Sequence, residues 1–183
     1  MAVCLLLTIC SFAQDKFVPS LKQGSVLNYT IFFNGQTYAA KFSLDSISND
    51  YIKIGWNIDQ LGNGAWAMKS KSINSGVRGF WGQPTAGMTE ELPDDQIVLL
   101  FSKAQWASIQ KDKKLTFDQQ TYTQKQPSEQ QQLKLTGKTV DALFFESDNG
   151  STRIWILNSA SYPVLLKIEG NTVGADLTVN SVE

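Results

Sequence analysis

Apolar and polar residues alternate with a period of two through most of the first half of the chain. Leu27, Tyr29, Ile31 and Phe33 fall on one face of a first strand. Asn34-Gly35 then signals a two-residue hairpin turn, because both positions tolerate positive φ. The return strand sets Tyr38, Ala40, Phe42 and Leu44 against Lys41, Ser43 and Asp45. After the Ser48-Asn49-Asp50 turn, Ile52, Ile54, Trp56 and Ile58 alternate with Lys53, Gly55, Asn57 and Asp59. Leu61-Gly62-Asn63-Gly64 turns the chain into a strand bearing Trp66 and Met68. Four strands joined by short turns predict an antiparallel meander.

Residues 74–95 interrupt the pattern. Gly76, Gly79, Gly82 and Gly87 punctuate a stretch holding Phe80-Trp81, Pro84 and Met88, which ends in Glu90, Glu91, Asp94 and Asp95. A long irregular segment inside a compact domain is either functional or loosely ordered. A short apolar strand, Ile97 to Phe101, follows it. Ser102 with Gln105 three residues later forms a capping box, and Phe101 with Trp106 has the spacing of a hydrophobic staple. The predicted helix runs to about Ile109 or Lys111, with Lys111, Lys113 and Lys114 near the negative end of its dipole. Leu115–Phe117 is a candidate strand, and the Gln-rich stretch 119–132 reads as a solvated loop. Gln132–Thr136, Val140–Ser147, Thr152–Leu157, Val164–Ile168 and Val173–Val179 complete the set of strands. Gly137-Lys138, Asp148-Asn149-Gly150 and Gly170-Asn171 supply turns between them.

The fold expected is mainly β: a strongly curved antiparallel sheet or incomplete barrel of about nine or ten strands with one short helix. A sheet of that size curls, and its concave face must be filled by a helix, a loop or a ligand. Residues 14–183 form a single β-rich domain in this reading.

Composition narrows the chemistry. The chain has 183 residues, no His, and two Cys, Cys4 and Cys10. Residues 2–13 are one apolar run, too short to span a bilayer as a helix. Ser11 and Ala13 place small residues at the −3 and −1 positions of a cleavage site, so residues 1–13 are expected to be a signal peptide and the protein to be periplasmic or extracellular. The mature chain would then lack both Cys and His, and could form no disulfide. Catalysis by a Ser-His-Asp or Cys-His arrangement is excluded for want of the base. The net charge of −1, with 16 Lys and Arg spread along the chain, leaves no electrostatic footprint for a nucleic acid. No later apolar stretch is long enough for a transmembrane segment, and no cofactor or metal is implied.

The acidic group Glu90, Glu91, Asp94 and Asp95 reads most simply as a solvated charge run, with carboxylate catalysis on a polysaccharide as the sharper alternative. The aromatics carry more. Trp56 alternates with isoleucines, as a core residue would. Phe80 and Trp81 sit among glycines without alternating partners, so they either plug the open face of the sheet or touch a ligand or partner. The candidate ligand-binding residues are Phe42, Ile54, Trp56, Met68, Phe80, Trp81, Ile156 and Leu166, converging on one concave surface, with residues 74–95 as a lid hinged at its glycines.

The opening LKQGSVLNYTIFFNGQTYAAKFSL, with a Gly before a Tyr-bearing strand and a tight hairpin, resembles the start of secreted bacterial domains of unknown function grouped with the periplasmic lipoprotein carriers. The closing RIWILNSASYPVLLKIEGNTVGADLTV resembles their ending: a Trp-bearing strand, a Pro after a short connection, an apolar strand and a final strand. The resemblance implies an unclosed β-barrel with a helix-containing segment over its opening, an apolar cavity for acyl chains, and no shared catalytic residue. The expected function is therefore a non-enzymatic module that holds an apolar or lipid-like small molecule in the concave face. The alternatives are a secreted structural or protein-interaction domain using the 74–95 loop, and a carboxylate-based enzyme acting on polysaccharide.

Overall fold

The structure, a computed structural model, describes residues 16–183. The signal peptide expected over residues 1–13 lies outside the described residues. The meander is present: β1 (Val26–Phe33), β2 (Gln36–Ile47), β3 (Tyr51–Ile58) and β4 (Gly62–Lys69) pair in sequence order. At the first turn Asn34 has φ 50° and Gly35 φ 78°, the two positive values that a type I′ hairpin needs. A short helix, α1 (Ser70–Ser75), follows β4. The chain then makes β5 (Arg78–Gly79), β6 (Thr89–Glu91) and β7 (Gln96–Ile97), the long helix α2 (Lys103–Asp112), and β8 (Lys114–Phe117) with β9 (Gln120–Lys125). After a small hairpin, β10 (Lys134–Leu135) with β11 (Lys138–Thr139), come β12 (Ala142–Ser147), β13 (Arg153–Leu157), β14 (Leu165–Glu169) and β15 (Asp176–Val182).

Eleven of these strands form one sheet in the order β6-β4-β3-β2-β1-β15-β14-β13-β12-β9-β8. The last strand pairs antiparallel with the first, Ile31 opposite Leu177, so the two ends of the domain meet in the middle of the sheet. The sheet is curved and not closed into a barrel. Its free edges are blunted in two ways. On the β8 edge, Gln105 Nε2 of α2 donates to the Thr116 carbonyl at 2.8 Å and Ser108 Oγ to the Lys114 carbonyl at 3.1 Å. On the other edge, β6 is three residues long and carries Glu90 and Glu91. Short, charged or covered edges resist pairing with other chains.

The Ser102 capping box is complete. Ser102 Oγ accepts from Gln105 N at 3.3 Å, and Ser102 N donates to Gln105 Oε1 at 2.9 Å. Phe101 is buried with its ring edge-on to Phe117, centroids 5.5 Å apart, and Trp106 lies half-buried against the core. One expectation needs correcting. The stretch 119–132 is not a loop throughout, because β9 occupies residues 120–125 and pairs with both β8 and β12. Tyr122, buried opposite Leu115, is the single large apolar residue of that strand, too little for a visible period. The domain also holds α1 besides the expected helix. Ile73 buries into the core, and Ser72 Oγ donates to the Gln96 carbonyl.

Candidate functional site

The site is built on the concave face of the meander, near the β1–β2 hairpin, and on the segment that joins α1 to α2. That segment enters with β5 parallel to β7, Phe80 N donating to the Ile97 carbonyl at 2.9 Å. It leaves through Val98, Leu99 and Leu100. Leu99 is bulky yet adopts φ 57°, an uncommon backbone state for such a side chain. It is held there by Leu165 N, which donates to the Leu99 carbonyl at 2.7 Å, while Val98 N donates to Met68 Sδ at 3.4 Å.

Asp118, in the β8–β9 turn, clasps the segment. Its carboxylate accepts from Gly79 N and from Trp81 Nε1, each at 2.8 Å, and its own N–H donates to the Val77 carbonyl at 3.0 Å. Burial pushes the Asp118 carboxyl above its ordinary value, against the smaller opposing effects of these two N–H donors and of Arg78. The Trp81 indole lies flat against two glycines. A Cβ on Gly79 would stand 2.6 Å from it, and one on Gly174 would collide with the ring. Phe80 points the other way, its ring 5.7 Å from Trp66, which in turn stacks on Trp56 at 5.6 Å and faces Phe42 at 6.0 Å.

Between this segment and the sheet lies a cavity of about 510 Å³. Ile31, Tyr38, Phe42, Ile58, Trp66 and Leu177 line it from the sheet, and Phe80, Trp81, Pro84, Leu99 and Phe101 from the covering side. The volume falls within the roughly 300–1,000 Å³ of small-molecule sites. The walls are mainly apolar, with Gln83 on the covering side. Tyr38 spends its hydroxyl on Gln36 Oε1. The Trp66 indole N–H is buried without a hydrogen-bond partner, a donor left unpaired on a residue of an apolar wall.

Of the residues singled out in the sequence, Phe42, Phe80 and Trp81 come together on the cavity. Trp56 sits one layer back, stacked on Trp66. Ile54, Met68, Ile156 and Leu166 are buried in the packed core and do not reach the walls. Trp66, Ile31, Tyr38, Ile58, Leu99, Ala175 and Leu177 line the cavity without having been chosen. The strand pattern placed most of them on the right face. It carried no information on how far along that face the packing stops.

Three of the four acidic residues are held in surface ion pairs, Glu91 with Lys69 at 2.6 Å, Asp94 with Lys71 and Asp95 with Arg78 at 3.0 Å each, while Glu90 beside Trp66 has an oxygen buried without a hydrogen-bond partner. Among the described residues no group of three or more His, Cys, Asp or Glu side chains is placed to hold a metal, and no helix is long and apolar enough to cross a membrane. In comparison with known proteins, no family model, no curated protein and no solved structure matches the chain.

Proposed function

We propose that the protein is an exported, non-enzymatic binding module that holds an apolar or amphipathic, lipid-like molecule in the cavity under Phe80 and Trp81. One observation carries this reading: a hollow of about 510 Å³ remains inside a domain whose other concave surface is closely packed. A mainly apolar hollow with an open mouth is the usual shape of a site for an apolar small molecule. The resemblance of the two ends of the chain to lipoprotein-carrier-like domains implies the same ligand class.

The test is a fluorescence titration with N-phenyl-1-naphthylamine, an uncharged apolar probe. The protein should bind it, and Ala175→Trp, which fills the hollow from a half-buried wall position, should weaken binding by about tenfold or more as the buried apolar contact is lost. Mass spectrometry under native conditions should find lipid on protein taken directly from cells. If the probe binds no tighter than to a control protein, or equally well to the filled variant, the reading fails.

A further inference from the structure

The four segments that meet around the cavity mouth contain no charged residue. Residues 30–40, 60–68, 79–89 and 170–175 hold no Asp, Glu, Lys or Arg, in a chain with 16 Lys and Arg and 17 Asp and Glu. Each segment contributes to the cavity wall, through Phe33, Leu61, Pro84 and Ala175 among others. Two of them are tied together by Gly87 N donating to the Asn63 carbonyl at 2.7 Å. The same segments carry the most exposed large apolar side chains of the described residues: on the rim Phe33 at 46 %, Met88 at 59 % and Val173 at 52 %, with Phe32 at 50 % next to Phe33 but on the other face of β1. Phe33 belongs both to the wall and to this exposed set, so the apolar surface runs from inside the cavity onto the rim.

We propose that this rim is a docking surface for a lipid bilayer of neutral, zwitterionic lipid, seating the cavity mouth on the membrane. Such a surface must shed charge, because a charged side chain is costly at the edge of the hydrocarbon, whereas large apolar tips gain by leaving water. The amides and hydroxyls between the tips suit the headgroup layer. A protein interface would be expected to carry arginine among its aromatics; none lies on the four segments, and Arg78 beside Val173 is engaged with Asp95. With no basic residue on them, anionic lipid adds no attraction and salt removes none. The docking itself does not require a ligand. Its purpose, loading or unloading the cavity, rests on the function proposed above.

Co-flotation of the exported chain with phosphatidylcholine vesicles tests this. Binding should be retained at high salt and should gain nothing when phosphatidylglycerol replaces part of the lipid. Met88 and Val173 are exposed and stand outside the cavity wall. The double variant Met88→Glu, Val173→Glu should therefore lose vesicle binding by about tenfold or more while keeping its thermal midpoint and its affinity for N-phenyl-1-naphthylamine. No binding to neutral vesicles overturns the proposal, as does binding that needs anionic lipid and vanishes with salt, or a double variant that floats like the parent. A parent that sediments as a dimer, becomes monomeric in the double variant and never floats would assign the rim to a second copy of the chain. Lost vesicle binding with intact probe binding leaves the cavity reading standing, and the converse removes it, so the two failures are distinguishable.

Discussion

Along the strands of the meander, a single face runs from a packed end to a hollow one. On β1 it passes from Leu27 to Ile31, on β2 from Leu44 to Tyr38, on β3 from Ile54 to Ile58, and on β4 from Met68 to Trp66. The first member of each pair is at most 1 % exposed and away from the cavity, while the second lines it. Both ends follow the same apolar alternation, with Tyr38 and Trp66 at the hollow end where the packed end is Leu, Ile and Met. What differs is the cover. Over the packed end lies α1 with Ile73, and the chain leading into α2 touches both ends, its Val98 N reaching Met68 while Leu99 and Phe101 line the hollow. Over the hollow end lies a glycine-punctuated segment held by one carboxylate. A curved sheet presents more apolar face than one short and one ten-residue helix can fill, and the remainder is the site.

The comparison breaks most visibly under truncation. Ile54→Ala at the packed end should cost about 2–5 kcal/mol, the range for removing a large aliphatic side chain from a core that cannot collapse around the gap. Ile31→Ala borders space that already exists, so it adds to a hollow instead of creating one, and should cost less than about 1 kcal/mol. Urea unfolding of the two variants decides this. Equal losses would mean that the hollow end is packed in solution. The reverse change sharpens the contrast. Leu44→Phe should overpack its end at about 1–3 kcal/mol, whereas Ile58→Phe should be accommodated with little loss while lowering affinity for the naphthylamine probe.

How much of this was legible in the sequence follows from the same contrast. Alternation at Leu27 to Leu44 and Ile52 to Met68 reports which face of a strand is buried, and the curved, unclosed sheet follows from enough such strands. The Ser102–Gln105 capping box is a local device and was visible for that reason. The β9 strand was invisible, since its neighbours β8 and β12 hold it through the backbone and one tyrosine. The Asp118 clasp was invisible too. It joins Trp81 to a turn 37 residues away, and nothing local marks an aspartate in a hairpin turn as a long-range partner. Phe80 and Trp81 were picked out because they broke the pattern. Ile54 and Leu166, chosen with them, obey the pattern and belong to the packed core.

Removing the cap should separate stability from binding. Ser102→Ala deletes the acceptor for Gln105 N and should cost about 0.5–2 kcal/mol, read as a shift of the urea midpoint without change in slope. Affinity for the probe should stay as it was, because the capping box lies outside the cavity wall. Lost probe binding in a folded Ser102→Ala protein would show that the two ends are coupled through α2.

The smallest effect is a pH dependence confined to the hollow end. Burial holds the Asp118 carboxyl above the ordinary Asp value in the folded protein, which is about 3.9 in an unfolded chain. Between those two values the folded state binds the extra proton. The contribution of Asp118 to stability is therefore full below the unfolded value and declines as pH rises through the folded one. Asp118→Asn keeps one oxygen, enough for one of the two donors that the carboxylate accepts on separate oxygens, and does not titrate. The difference in unfolding free energy, parent minus variant, should then fall as pH is raised through the acid range above the unfolded value and become flat toward neutrality. Probe affinity should follow the same curve if the clasp keeps Trp81 over the cavity. The corresponding difference for Ser102→Ala should stay level with pH, since neither Ser102 nor Gln105 ionises. A parent-minus-variant curve for Asp118→Asn that rises with pH would mean that the two N–H donors outweigh burial. The clasp would then grip hardest when charged, and the cavity would be best closed at neutral pH instead of in acid.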